Sequence, residues 1–93
     1  MNKLTDEQLA KIQEYASFFL TVNEIAFLID VNANELKEQI NIKNNPVYIA
    51  YNKGKLITKV ALRKNIIKMA LHGSPQAELL TEEFIKKQRL TEV

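Results

Sequence analysis

Residues 21–40 read Thr21-Val22-Asn23-Glu24-Ile25-Ala26-Phe27-Leu28-Ile29-Asp30-Val31-Asn32-Ala33-Asn34-Glu35-Leu36-Lys37-Glu38-Gln39-Ile40. Two helix starts are written here. Thr21 with Glu24 and Asn32 with Glu35 have the spacing of a capping box, in which the first side chain accepts from the third helical amide and the glutamate reaches back. Each box is flanked by the apolar pair of a hydrophobic staple, Leu20 with Ile25 and Val31 with Leu36. Val22, Ile25, Ala26 and Ile29 then recur at helical spacing, and Leu36 and Ile40 give the second helix its own buried side. The stretch therefore predicts a helix from Val22 to Ile29, a tight turn through Asp30, Val31 and Asn32, and a helix from Ala33 to Ile40. That is the shape of a helix-turn-helix. In such a pair Ala26 lets the helices cross closely, Val31 plugs the gap after the turn, and Leu36 and Ile40 anchor the second helix. Asp30 stands where glycine commonly takes the left-handed conformation, which Asp and Asn tolerate better than other residues.

Working outward, the same device opens the chain. Thr5-Asp6-Glu7-Gln8 is a capping box with Leu4 and Leu9 as its staple, and Leu9, Ile12, Ala16 and Phe19 then mark one apolar face. On the other side a polar stretch, residues 41–45, ends at Pro46, which suits a first helical turn. The only glycines and prolines are Pro46, Gly54, Gly73 and Pro75, so the next helix can run to Leu71. Gly54 weakens it by about 1 kcal/mol relative to Ala, which implies a bend or a close packing contact. Gly73 suits the left-handed residue after a helix end, and Ser74-Pro75 supplies the next cap and first-turn proline, opening a last helix to about Arg89. No stretch alternates apolar and polar residues for a strand's length. The expected fold is all-α: residues 1–45 form a three-helix unit containing the helix-turn-helix, and residues 46–93 a long helix and a C-terminal helix paired as a hairpin, within one compact domain.

The long helix has no single apolar stripe. Ile57, Val60, Ile67 and Leu71 cluster on one face and Leu62, Ile66 and Met69 on nearly the opposite one. A helix apolar on two sides needs two sets of neighbours. The chain's own helices would supply one set and a second copy the other. The expected oligomerisation residues on this helix are Ile57, Val60, Leu62, Ile66, Ile67 and Met69.

Charge is segregated along the 93 residues. Residues 1–40 carry three lysines against seven acids, net −4; residues 41–77 carry Lys43, Lys53, Lys55, Lys59, Arg63, Lys64 and Lys68 with no acid, net +7; residues 78–93 return to −1. A local positive field of this kind attracts polyanions even though the whole chain is only +2. It also suits a solvated helical surface. On the second helix of the turn motif, Asn32, Asn34, Lys37 and Gln39 face outward. Asparagine and glutamine can make bidentate contacts to adenine, and lysine can meet a guanine or a phosphate, whereas Glu35 and Glu38 repel phosphates. The phosphate contacts are therefore expected from Lys53, Lys55, Lys59, Arg63, Lys64 and Lys68. Tyr48 and Tyr51 could stack on bases, though helix packing is the commoner use of such aromatics.

Other classes are disfavoured. With no Cys and only His72, the chain offers no thiolate metal site and no His cluster, so no metal and no cofactor are expected. Glu35-Glu38 and Glu82-Glu83 are paired carboxylates without a nucleophile, base or phosphate loop, so neither enzymatic activity nor a small-molecule substrate is expected. The apolar-rich stretch from Tyr15 to Val31 is broken by Ser17, Thr21, Asn23, Glu24 and Asp30, short of the roughly 20 apolar residues of a membrane span, and no signal-peptide layout precedes it. A soluble cytoplasmic or viral protein is expected.

Glu24-Ile25-Ala26 with Val31-Asn32 and Leu36 resembles the helix-turn-helix near the N-terminus of bacteriophage terminase small subunits. Ala50-Tyr51-Asn52-Lys53-Gly54-Lys55, Leu62-Arg63, and Ala70-Leu71-His72-Gly73-Ser74 with Ala77 resemble the segment that follows it there, over about residues 5–88. The resemblance implies a homo-oligomer in an infected bacterial host that binds double-stranded viral DNA for genome packaging and hands it to a terminase large subunit, with Asn32, Asn34, Lys37 and Gln39 at recognition-helix positions and Ile57, Val60, Ile67, Leu80 and Phe84 in an oligomerisation hairpin formed by residues 46–93. The alternatives are a viral structural or adaptor protein that uses the helices for assembly, or a small helix-turn-helix transcriptional regulator.

Overall fold

A computed structural model describes residues 3–92. The protein is all-α, with five helices and no strand among the described residues: α1 (Asp6–Ser17), α2 (Val22–Leu28), α3 (Ala33–Ile40), α4 (Pro46–Leu71) and α5 (Pro75–Glu92). The starts follow from the capping chemistry. Thr5 Oγ1 accepts from the Gln8 amide at 3.1 Å while Gln8 Oε1 accepts from the Thr5 amide at 2.9 Å. At α2 the same reciprocal bonds join Thr21 and Glu24, at 3.2 and 2.9 Å. Asn32 Oδ1 caps α3 on the Glu35 amide at 3.0 Å, and Ser74 Oγ caps α5 on the Ala77 amide at 3.3 Å. The cap of α4 is Asn45, whose Oδ1 accepts from the Val47 amide at 2.9 Å. Each such cap is worth about 1 kcal/mol.

Three helices end in one way. After α1, α2 and α4 a residue enters the left-handed region, Phe19 (φ 60°), Asp30 (φ 58°) and Gly73 (φ 95°). The next amide then reaches back to a carbonyl inside the helix: Leu20 to Tyr15, Val31 to Ala26 and Ser74 to Met69, at 3.0–3.3 Å. These are Schellman closures. Asp30 and Gly73 match the sequence expectation. Phe19 does not, because α1 stops at Ser17 and the left-handed turn carries the Phe19 ring away from the α1 face, leaving it 53% exposed.

The chain divides into two compact units, Met1–Thr58 and Lys59–Val93. The division falls within α4. The reason lies in packing. The core of the first unit gathers Ile12 and Ala16 from α1, Ile25 and Ala26 from α2, Leu36 and Ile40 from α3, and also Val47 and Ala50 from the start of α4. Gly54 continues that contact: a Cβ there would collide with the Gln13 carbonyl oxygen and lie 3.0 Å from Ala16 Cβ. Glycine is present because α4 approaches the α1 backbone, and Thr58 Oγ1 donates to the Ser17 carbonyl at 2.6 Å a turn later.

In the second unit Ala77 is the buried residue. Arg63, Ile66 and Ala70 form its half-buried stripe on α4, and the Arg63 guanidinium stands 4.3 Å from the Phe84 ring centroid. No helix among the described residues is long and apolar enough to cross a membrane.

Candidate nucleic-acid interface

The α2 to α3 connection sets the candidate interface. Ala26 and Leu36 are fully buried where the two helices meet, Ile40 anchors the far end of α3, and Val31 packs against the core from the turn. With its apolar side held in this way, α3 turns Asn34, Lys37, Glu35 and Glu38 to solvent. Asn34 and Lys37 therefore stand where sequence reading puts them.

Asn32 and Gln39 have prior engagements. Asn32 is exposed, but its carbonyl oxygen caps α3. Gln39 is half-buried, and its Oε1 accepts from Asn45 Nδ2 at 2.6 Å while Asn45 Oδ1 caps α4. A bidentate contact to adenine requires the amide oxygen as well as the nitrogen. Gln39 thus braces the start of α4 instead of presenting a free amide, and Asn32 retains only its nitrogen. No sequence pattern marks the Gln39 to Asn45 bond, which depends on how the 41–45 loop folds.

The cations divide similarly. Lys43 and Lys53 are exposed in the first unit. Lys55 is half-buried with its Nζ 4.9 Å from the centroid of the Tyr51 ring, and Tyr51 itself packs on the core. Tyr51 is thus a packing aromatic with a cation over it, an arrangement worth about 0.5–1 kcal/mol at an exposed site. In the second unit Lys59, Lys64 and Lys68 are exposed, whereas Arg63 is committed to Phe84. Contact with a phosphate would cost Arg63 that stacking.

Among the expected oligomerisation residues, Ile57, Val60, Leu62, Ile67, Met69 and Leu80 all remain exposed. The chain's own helices do not cover the Ile57, Val60 and Ile67 face. Ile66, expected on the second face, is half-buried on the Arg63 stripe beside α5, and Phe84 is half-buried under Arg63. Sequence reading passed over Phe18, Phe27 and Leu28, which are exposed, Phe27 by 82%. A signal for the last two was available, since both fall off the Val22, Ile25, Ala26, Ile29 stripe.

The Glu24 carboxyl is held below the usual glutamate range, first by the Thr21 backbone amide and then by the Thr21 hydroxyl. That perturbation belongs to a helix cap. No group of three or more His, Cys, Asp or Glu among the described residues is placed to hold a metal ion. Compared with protein-family models, curated proteins and solved structures, the chain matches none.

Proposed function

We propose that the protein is a self-associating DNA-binding module, similar in role to the small terminase subunits that mark viral DNA for packaging. The observation that carries this reading is α3, anchored by buried Leu36 and Ile40 and turning Asn34 and Lys37 outward in a unit that also exposes Lys43 and Lys53. On this reading Asn34 and Lys37 meet base edges or phosphates, and Lys43 and Lys53 supply sequence-independent attraction. The protein then acts in the cytoplasm of an infected bacterium, as a homo-oligomer that passes DNA to a large subunit, with no catalysis, cofactor or membrane role of its own.

Fluorescence anisotropy with labelled duplex DNA tests it. If each engaged subunit neutralises about three phosphates, log affinity falls with log salt at a slope near −3 per subunit. Lys43→Glu with Lys53→Glu should weaken binding to every sequence, and Asn34→Ala should lower only the preference among sequences. Equal binding by the parent and the double charge reversal at low salt would remove the proposal. The exposed Val60, Leu62, Ile67 and Met69 favour a second reading, a viral assembly or adaptor protein, which predicts self-association with no affinity for DNA. A transcriptional regulator would be distinguished by preference for a palindromic site.

A further inference from the structure

The second unit is under-buried. Ala77 is its one core residue among the described positions, while Val60, Ile67 and Ile85 stand 39–49% exposed. Two helical segments of this length do not hold a stable arrangement in water on so little buried surface. The charges indicate what would cover them.

On α4, Val60, Lys64, Ile67 and Leu71 are spaced i, i+4, i+7, i+11 and share one side, with Lys68 one turn beyond Lys64. On α5, Glu78, Glu82, Ile85 and Arg89 have the same spacing and share one side. The first half of α5 is acidic, and α4 carries no acid. Yet among the described residues Glu78 and Glu82 make no ion pair with Lys64 or Lys68. Each copy thus holds both halves of an ionic match and uses neither.

Heights along the helices give the register. Because Arg63 stands against Phe84 across the Gly73 turn, α5 runs back beside α4 in this unit. Lys64 and Glu82 then share nearly one height, and so do Lys68 and Glu78. A two-fold axis parallel to the helices preserves height and exchanges sides, so α4 of one copy lies on α5 of the other. We infer that a second copy of this chain covers the Val60 and Ile67 side, with Lys64 and Lys68 of each copy paired to Glu82 and Glu78 of the other around a shared apolar centre. The opposite flank, with Leu62 and Met69, carries neither lysine of that pair. This inference rests on the self-association in the reading above and names its surface.

Sedimentation velocity on the full chain tests it. The parent should be a dimer or larger at micromolar concentration. Lys64→Glu with Lys68→Glu should weaken association by about tenfold or more, as should Glu78→Lys with Glu82→Lys, because each variant places like charges face to face. The decisive sample is their one-to-one mixture. In a two-fold pairing the all-acid and all-base copies complement each other at every contact, so the mixture should reassociate although each component alone does not. Reassociation in the mixture also shows that loss of association in each variant alone is not loss of the ability to fold. A self-associating parent whose variants associate equally well, or a mixture that stays dissociated, would overturn this pairing and leave the oligomeric reading standing. A monomeric parent would overturn both, while DNA binding is judged separately through Lys43, Lys53 and Asn34.

Discussion

In Met1–Thr58 apolar residues from four helices converge on one centre, where Ile12, Ile25 and Leu36 are fully buried. In Lys59–Val93 two helical segments bury one alanine and expose leucine, isoleucine and valine on both flanks. The two units share helix-forming chemistry. They differ in how many elements meet. A helix has one stripe to bury, and four partners close around a core that two cannot. The first unit closes its core with its own helices, whereas the second leaves its apolar flanks exposed.

The largest effect should come from testing this contrast directly. Leu36→Ala, at a fully buried site, should cost about 2–5 kcal/mol by denaturant titration. Leu79→Ala, 63% exposed, should stay within about 0.5 kcal/mol. Comparable losses would mean that the second unit has a core of its own, and the contrast would fall. Next in size, Gly54→Ala should cost about 1–3 kcal/mol although alanine is the better helix former, because the added methyl meets the Gln13 carbonyl. A gain of stability would show that α4 does not approach α1 so closely.

Both effects concern contacts between distant parts of the chain, and there the sequence was hardest to read. The capping boxes at Thr5 and Thr21, the left-handed turn at Asp30 and the Gly73-Ser74-Pro75 junction were legible because each is decided by residues within four positions of one another. Gly54 was half legible: its cost pointed to a reason, and only the α1 backbone supplied it. Phe19 misled because a Schellman closure can outweigh apolar spacing, and Ile66 because the α5 contact at Arg63 decides which side of α4 is inward. For the candidate interface, Leu36 and Ile40 fixed which side of α3 faces out. The diversion of Gln39 to Asn45 depends on the loop conformation.

Smaller effects separate the two units at their helix starts. Asn45→Ala removes the α4 cap and the partner of Gln39 together, and should lower thermal stability by about 1–2 kcal/mol. Ser74→Ala, with a longer single bond, should cost about 0.5–1 kcal/mol. The reverse order would place the firmer helix start in the second unit. The smallest expected effect depends on pH. Glu24 has a lowered pKa in the fold, so its contribution is complete above the ordinary glutamate range and is lost as pH falls through the lowered value. Glu24→Gln should keep the cap, as Gln8 does in α1, and flatten that part of the acid dependence in melting curves. An unchanged acid profile would assign the loss to other carboxylates.

Tyr15, Tyr48 and Tyr51 are the chain's three tyrosines and it has no tryptophan. All three fall in the first unit, where Tyr15 and Tyr51 pack on the core. The near-ultraviolet dichroism of tyrosine therefore reports the ordering of that unit, while the far-ultraviolet signal sums the helices of both. If the second unit loosens first on dilution or warming, the far-ultraviolet signal will fall while the tyrosine signal holds. The protein carries an intrinsic optical label for one half of itself, and the gap between the two melting curves measures how independently the halves unfold.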